Sequence, residues 1–99
     1  MFDEGPAGSL MFKKIGPNSM EAVGSFSIDR FGRSLLKYVE MDKELTIEVE
    51  SGGPLAVYLS SARYWKHPDG QLVSEEERIQ IAKNLKIGLK FLGIRHEIS

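Results

Sequence analysis

The chain has 99 residues, a length that predicts one domain burying somewhat over ~60% of the surface of its unfolded form. It is 41% hydrophobic and 27% charged, which excludes a wholly disordered chain. Its longest apolar run, residues 55–59, is far shorter than the ~20 residues of a membrane-spanning helix. Cysteine is absent, and the N-terminus lacks the basic start and apolar core of a secretory signal. We therefore expect a cytoplasmic protein that does not enter a membrane.

The net charge argues against nucleic acid as a partner. It is −1, with a pI of about 6.1, whereas binding to phosphate backbones usually requires a basic excess. The charge is nevertheless uneven, because residues 1–33 sum to 0, residues 34–62 to −3 and residues 63–99 to +2. The acidic middle segment is therefore the candidate for a charged contact with a partner.

Residues 1–9 combine Gly, Pro and charge, which predicts a flexible lead-in to a single domain over residues 10–99. Gly, Pro and Asn at residues 16–18 predict a turn. The polar connection at residues 29–33 contains Gly32, which can take the positive φ that most residues avoid.

Strands are predicted along most of the chain before residue 60. They fall at residues 10–15, 22–28, 35–41, 44–50 and 55–59. Residues 44–50 alternate between apolar side chains and Glu or Thr, so one face of that strand should be buried and the other solvated and acidic. Asp42 and Lys43 lie between two strands at the length of a hairpin turn. Residues 55–59 are apolar throughout, which predicts a strand inside the sheet and buried on both faces.

A long helix is predicted after Ser74. Ser74 and Glu77 have the spacing of a capping box, and Gly93 suits the left-handed position that ends a helix. The predicted buried stripe consists of Ile79, Ala82, Leu85, Leu89 and Leu92, widened by Ile81, Gly88 and Phe91. Residues 62–65 could form one helical turn before it, and residues 94–98 alternate as a final strand.

These elements predict an α+β domain with a mainly antiparallel sheet of five or six strands, covered on one face by one long C-terminal helix. Catalytic and ligand-binding patterns are lacking. His67, Asp69 and His96 lack the spacing of a metal site, and no serine lies in a nucleophile elbow. Gly52 and Gly53 lack the lysine of a phosphate loop. We predict no enzyme activity, no cofactor and no metal.

Trp65 is the single tryptophan, and it lies between a predicted buried strand and the helix cap. An aromatic residue in that place either closes the edge of a core or anchors a partner. Both interpretations stay open at the level of sequence, so Trp65 is included among the candidate binding residues.

Several short motifs occur in a recognisable order. They are Glu40 before a hairpin, the acidic strand, Ala56-Val57-Tyr58-Leu59-Ser60-Ser61, Trp65-x-x-Pro68, Ser74-x-Glu76-Glu77-x-Ile79 and Phe91-Leu92-Gly93-Ile94-x-x-Glu97. Over residues 36–98 the chain resembles a class of small bacterial immunity proteins of polymorphic toxin systems. Lys66 stands where members of that class often carry an acid.

The resemblance implies a non-enzymatic protein that binds and neutralises a cognate toxin protein in the cytoplasm. An acidic surface would speed encounter with a basic, nuclease-like toxin. The predicted binding residues are Glu40, Asp42, Glu44, Glu48, Glu50 and Trp65. The alternative is an α+β interaction or oligomerisation module with another partner, and the oligomeric state stays open.

Overall fold

The computed structural model describes residues 11–66 and 70–99, which form one sheet whose strands neighbour each other in chain order. The strands are β1 (Phe12–Gly16), β2 (Ser19–Ala22), β3 (Phe26–Phe31), β4 (Leu35–Glu40), β5 (Lys43–Glu50), β6 (Leu55–Tyr58) and β7 (His96–Ile98). Helix α1 (Glu75–Phe91) connects β6 to β7 and makes these two strands parallel, whereas β1 to β6 pair antiparallel. The predicted lead-in, residue 10 and residues 67–69 lie outside the described residues.

The α+β class, the mainly antiparallel sheet and the long C-terminal helix are confirmed. The predicted number of strands is wrong, because the described part of the sheet has seven. The predicted strand at residues 22–28 is interrupted by a turn in which Gly24 has a φ of 79°. The residues before that turn form a separate strand, β2, and β3 begins after it.

One predicted turn is confirmed, and two predicted connections are shifted. Pro17 and Asn18 form the turn between β1 and β2. The connection predicted at residues 29–33 begins later, at Gly32 with a φ of 69°, because residues 29–31 belong to β3. The turn between β4 and β5 is one residue earlier than predicted, at Met41 and Asp42, because Lys43 already pairs with Glu40. Met41 takes a φ of 58° there, which is unusual for a residue with a side chain.

The core lies between α1 and one face of the sheet. Leu45, Ile47 and Val49 of β5 are buried in it, which confirms the predicted alternation of that strand. In β6, Leu55 and Val57 are buried, but Tyr58 is 36% exposed. The prediction that this strand is buried on both faces is therefore wrong, because the helix covers one side of the sheet alone within the described residues.

The predicted helix ends are confirmed. The hydroxyl of Ser74 accepts a hydrogen bond from the backbone N–H of Glu77 at 3.1 Å, and the Glu77 carboxylate accepts one from the backbone N–H of Ser74 at 2.9 Å. At the other end Gly93 has a φ of 75°, and its N–H donates to the carbonyl of Lys90. These contacts satisfy backbone groups that a helix terminus otherwise leaves without partners.

The helix is rotated relative to the predicted stripe. Its buried residues are Ile81, Asn84, Leu85, Gly88 and Leu89. Ile79 and Phe91 were predicted to be buried and are 54% and 41% exposed, so that part of the prediction is wrong. A Cβ atom on Gly88 would lie 2.4 Å from Cδ1 of Ile28, so the close approach of helix and sheet depends on glycine at this position.

The predicted helical turn at residues 62–65 is also wrong. A 3₁₀ turn lies earlier, at Leu59–Ser61, and Tyr64 instead forms an isolated bridge with Leu72. The hydroxyl of Ser61 donates to the carbonyl of Tyr58 and accepts the backbone N–H of Glu48. Ser61 therefore connects its own turn to β5. No helix in the described ranges is long and apolar enough to span a membrane.

Candidate partner-binding surface

The acidic residues of β5 lie on the side of the sheet opposite α1, which we call the open face. Glu44, Glu48 and Glu50 alternate along the strand with buried residues and therefore point to this face. Glu48 and Glu50 are exposed, whereas Glu44 is half-buried. The structure thus brings three of the predicted binding residues together on one surface.

Two further predicted residues lie elsewhere. Glu40 is two positions along β4 from the buried Tyr38, so its side chain is on the helix-covered face, where it accepts a hydrogen bond from the Tyr38 hydroxyl at 2.6 Å. Glu40 therefore does not lie on the open face with Glu44, Glu48 and Glu50. Asp42 is exposed in the hairpin turn between β4 and β5, beyond the end of the open face.

Trp65 packs in the core, which is one of the two interpretations that the sequence left open; the other was an exposed partner contact. It is 1% exposed, so its ring is not available on the surface. Its Nε1–H donates to Oε1 of Glu77 at 3.2 Å, and Nζ of Lys43 lies 5.3 Å from the ring centroid. Trp65 therefore joins the β4–β5 hairpin to the start of the helix. Pro68, the other end of its motif, lies outside the described residues.

Glu77 is the centre of this contact on the helix-covered face. Nζ of Lys43 lies 2.6 Å from Oε2 of Glu77, and the same carboxylate closes the capping box. The hydrogen bond from Lys43, followed by that from the backbone of Ser74, lowers the pKa of Glu77 to about 2. The same hydrogen bond raises the pKa of Lys43. The pair thus stays charged across the neutral range and braces the helix start.

A second network of side-chain hydrogen bonds lies on the same face and reaches toward the core. Nδ2 of Asn84 donates to the Tyr38 hydroxyl at 2.7 Å, and Nε2 of Gln80 donates to Oδ1 of Asn84 at 3.1 Å. Burial, followed by the hydrogen bond to Glu40, raises the pKa of Tyr38. Because each polar group in this hydrogen-bond network has a partner within the network, the arrangement is suited to holding the helix against the sheet rather than to catalysis.

The open face carries a row of large side chains that the sequence did not reveal. Phe31, Leu35, Glu48 and Tyr58 pair in register across β3, β4, β5 and β6. At the usual spacing of strands, this row is roughly 14 Å long. Phe31 is 40% exposed, and Leu35 and Tyr58 are each 36% exposed. The row thus offers apolar contact area in the middle of a solvated sheet.

Carboxylates surround this row. The strand registers place Glu21, Asp29, Glu44, Glu48, Glu50 and Glu97 on the open face, with Lys13 and Lys37 as its basic residues. Six carboxylates and two lysines give the open face a net charge of −4, against −1 for the whole chain. The ion pair found within the described part of the chain, between Lys43 and Glu77, lies on the other face. The acids of the open face are therefore available to a basic partner.

Two of these carboxylates have hydrogen-bond donors on the same face. The hydroxyl of Ser19 donates to Asp29, and the hydroxyl of Tyr58 donates to Oε1 of Glu50 at 2.6 Å. This second bond, together with the charge of Glu50, raises the pKa of Tyr58. It also holds an exposed aromatic ring beside an exposed acid, which is the pairing that a basic, partly apolar surface would contact.

The row was missed for a specific reason. Phe31 falls in a segment that was interpreted as a polar connection, although the alternation of Phe26 and Ile28 with Ser27 and Asp29 continues to it. Extending that alternation would have placed Phe31 with Asp29 on the solvated side. Tyr58 carried no such signal, because the apolar run around it resembles a strand covered on both sides.

Metal ligands do not converge anywhere in residues 11–66 and 70–99, where no group of three His, Asp or Glu side chains could hold an ion. His67 and Asp69 lie outside the described residues. His96 belongs to β7, and its Nδ1 lies 2.9 Å from the carbonyl oxygen of Ile94. Its ring thus contacts the backbone of the segment that precedes β7.

Comparison of the chain with known protein families, with curated proteins and with solved structures finds no match. The functional argument therefore depends on the chemistry of the open face.

Proposed function

We propose that this chain is a non-enzymatic immunity protein, which binds and neutralises a cognate bacterial toxin protein through the open face of its sheet. The observation that carries the proposal is the apolar row of Phe31, Leu35 and Tyr58 within a field of carboxylates. Protein interfaces combine such a desolvated centre with a polar rim, and their centres are rich in aromatic residues.

The charge of the open face indicates the kind of toxin. A net charge of −4 attracts a partner whose working surface is basic, such as an enzyme that acts on nucleic acid. Complementary charge raises the rate of encounter, and the apolar row would then slow dissociation. A toxin held in this way loses access to its substrate because the acidic face covers the residues that bind phosphate.

The surface is also preformed. β4 and β5 each pair with a strand on both sides, and the helix is braced behind them through Lys43, Trp65 and Glu77. Binding therefore need not order the backbone of these strands, which saves conformational entropy on association. That property suits an inhibitor whose partner is lethal until it is bound.

The test is co-expression with the product of the neighbouring reading frame. If that product is a toxin, this chain should rescue growth and should co-purify with it. The double substitution Glu48→Lys and Glu50→Lys should reduce the association rate at least tenfold, because it changes the local charge by four units. Rescue and an association rate equal to those of the unaltered chain would rule out the open face as the binding surface.

A matched control is available on the helix. Glu75 and Glu76 are exposed in the first turn of α1, away from the open face, so Glu75→Lys with Glu76→Lys makes the same change in net charge. This control should leave the association rate within about twofold. A rate reduced equally by both double variants would show that net charge alone, and not the open face, drives the encounter.

The alternative, an oligomerisation module, is opposed by the same surface. A two-fold interface brings identical patches together, and the open face would then oppose six carboxylates to six. Sedimentation at several protein concentrations separates the two proposals: a monomer supports the immunity function, whereas a dimer that the Glu48 and Glu50 substitutions strengthen supports oligomerisation.

A further inference from the structure

We propose that the groove between α1 and the edge strand β7 is a second binding site, which captures an extended acidic peptide segment of a partner protein as an added strand. This groove lies on the helix side of the sheet and does not include the apolar row of the open face. The inference therefore does not depend on the proposed function.

Within the described residues, the backbone of β7 pairs with a strand on one side alone. The carbonyl of Arg95 accepts the N–H of Leu55, and Ser99 exchanges hydrogen bonds with Val57 and Leu59. In a parallel ladder, alternate residues bond to the same neighbour. The N–H and C=O groups of the residues between, His96 and Ile98, therefore point away from β6, where an extended peptide can pair with them.

A groove runs alongside this edge. It has a volume of about 660 Å³, and its apolar lining includes Pro54, Ile94 and Ile98. The side chains of His96 and Ile98 point toward the helix side, because Glu97 between them faces the other way. A strand added beside β7 would place every second side chain over the groove, so small apolar residues at alternate positions would fit there.

The charges along the groove select an acidic occupant. Lys86 and Lys90 line it from the helix, and Arg95 lines it from the segment before β7. Glu97 is the one carboxylate in the lining, so three cations and one acid leave the groove with a net charge of +2. An extended peptide with acids between its apolar residues would meet these three cations at the edge.

The cationic lining continues beyond the end of the groove. An adjoining cavity of about 280 Å³ shares Gly93, Ile94 and Arg95 with the groove, adds Arg30, and has no carboxylate in its lining. Nε of Arg30 is buried and has no hydrogen-bond partner among the described residues. The guanidinium of Arg30 donates through Nη2 to the hydroxyl of Ser51, and its positive charge adds to that of Arg95 where one end of the bound peptide would lie.

A second copy of this chain is a poorer occupant. Pairing of β7 with β7 would bring Lys86, Lys90 and Arg95 of each copy against the same cations of the other. Proteins use short edge strands with flanking charges to prevent such pairing, and β7 has three residues. The feature that prevents self-association thus favours a segment of opposite charge.

The probe is an acetylated six-residue peptide of alternating valine and glutamate, compared with the same peptide carrying lysine in place of glutamate. Backbone amide signals of the ¹⁵N-labelled full chain are followed by NMR during titration. The glutamate peptide should shift the His96 and Ile98 amides and bind at least tenfold more tightly than the lysine peptide. Equal binding of both peptides, or shifts confined to residues outside the groove, would overturn the proposal.

Two sets of variants locate the site. Ile98→Pro removes an N–H that points away from β6, so the fold should persist while peptide binding weakens at least tenfold. Its control, Ile98→Val, keeps that donor and should bind the peptide as the unaltered chain does.

The second set tests the charge of the groove. The triple variant Lys86→Gln, Lys90→Gln and Arg95→Gln should also weaken peptide binding tenfold, whereas the control variant Lys13→Gln with Lys37→Gln on the open face should not. If the His96 amide signal shifts with protein concentration in the absence of peptide, a second copy of the chain binds this edge. That result would overturn the proposal.

Discussion

The two faces of the sheet differ in whether their polar groups are paired within the protein or exposed to solvent. On the helix-covered face, Tyr38 and Asn84 bond to each other, and Lys43 pairs with Glu77. On the open face, six carboxylates outnumber two lysines and surround a row of exposed apolar side chains. The first arrangement satisfies polar groups internally and stabilises the fold, whereas the second leaves charge for a partner. Substitutions on the two faces should accordingly change different measurements.

The largest loss of stability is expected at Trp65. Trp65→Ala removes the largest of the fully buried side chains and leaves a cavity between the hairpin and the helix, so unfolding should become easier by about 3–5 kcal/mol. Chemical denaturation measures this change. Trp65→Phe keeps much of the volume and should lose less than half as much. A loss below about 1 kcal/mol for Trp65→Ala would mean that the ring is not a core element.

The next effect concerns the buried hydrogen bond between Asn84 and Tyr38. Asn84→Ala leaves the donor of Gln80 and the Tyr38 hydroxyl without this partner, so it should cost about 2 kcal/mol. The double variant Asn84→Leu with Tyr38→Phe removes both polar partners and should be less destabilised than Asn84→Ala alone. If the two variants lose stability equally, the polar pairing contributes nothing beyond packing.

A smaller effect should depend on pH. The pKa of Glu77 is about 2 in the folded chain, below its ordinary value of 4.5. A carboxylate with a lowered folded pKa stabilises the fold above its unfolded pKa, and this contribution is lost as the pH falls from 4.5 toward 2. Glu77→Gln keeps an acceptor for Ser74 and Trp65 but removes the charge. Denaturation curves of this variant should show a weaker loss of stability over that range, and an unchanged acid slope would contradict the assignment.

The smallest change in stability is expected on the open face. Glu48→Lys with Glu50→Lys should alter the free energy of unfolding by no more than about 0.5 kcal/mol, because both side chains are exposed. The same variant should associate at least tenfold more slowly with the toxin partner that we propose. A large destabilisation would show that the acids of the open face serve the fold, and would remove the contrast between the two faces.

Part of the difference between the two faces could be predicted from residue patterns in the sequence. The alternation of Leu45, Ile47 and Val49 with acids predicted a strand with one buried and one acidic face, and Ser74 with Glu77 predicted the helix start. Both signals are local, because a strand repeats every two residues and a capping box spans four. The turn at Gly24, which separates β2 from β3, was missed because an isolated glycine does not show whether a strand bends or continues.

Local pattern by itself thus determined the fold class, the helix ends and the acidic side of β5. The tertiary structure decided which residues share that side, since Phe31, Leu35, Glu48 and Tyr58 meet through strand pairing between segments distant in the chain. It also placed Glu40 on the covered face and enclosed Trp65 against Glu77. Composition and periodicity specify which face of an element is apolar, but the neighbours of that face depend on strand register and on the rotation of the helix. Gly88 contributes to the second, because a Cβ atom there would collide with Ile28 of the sheet.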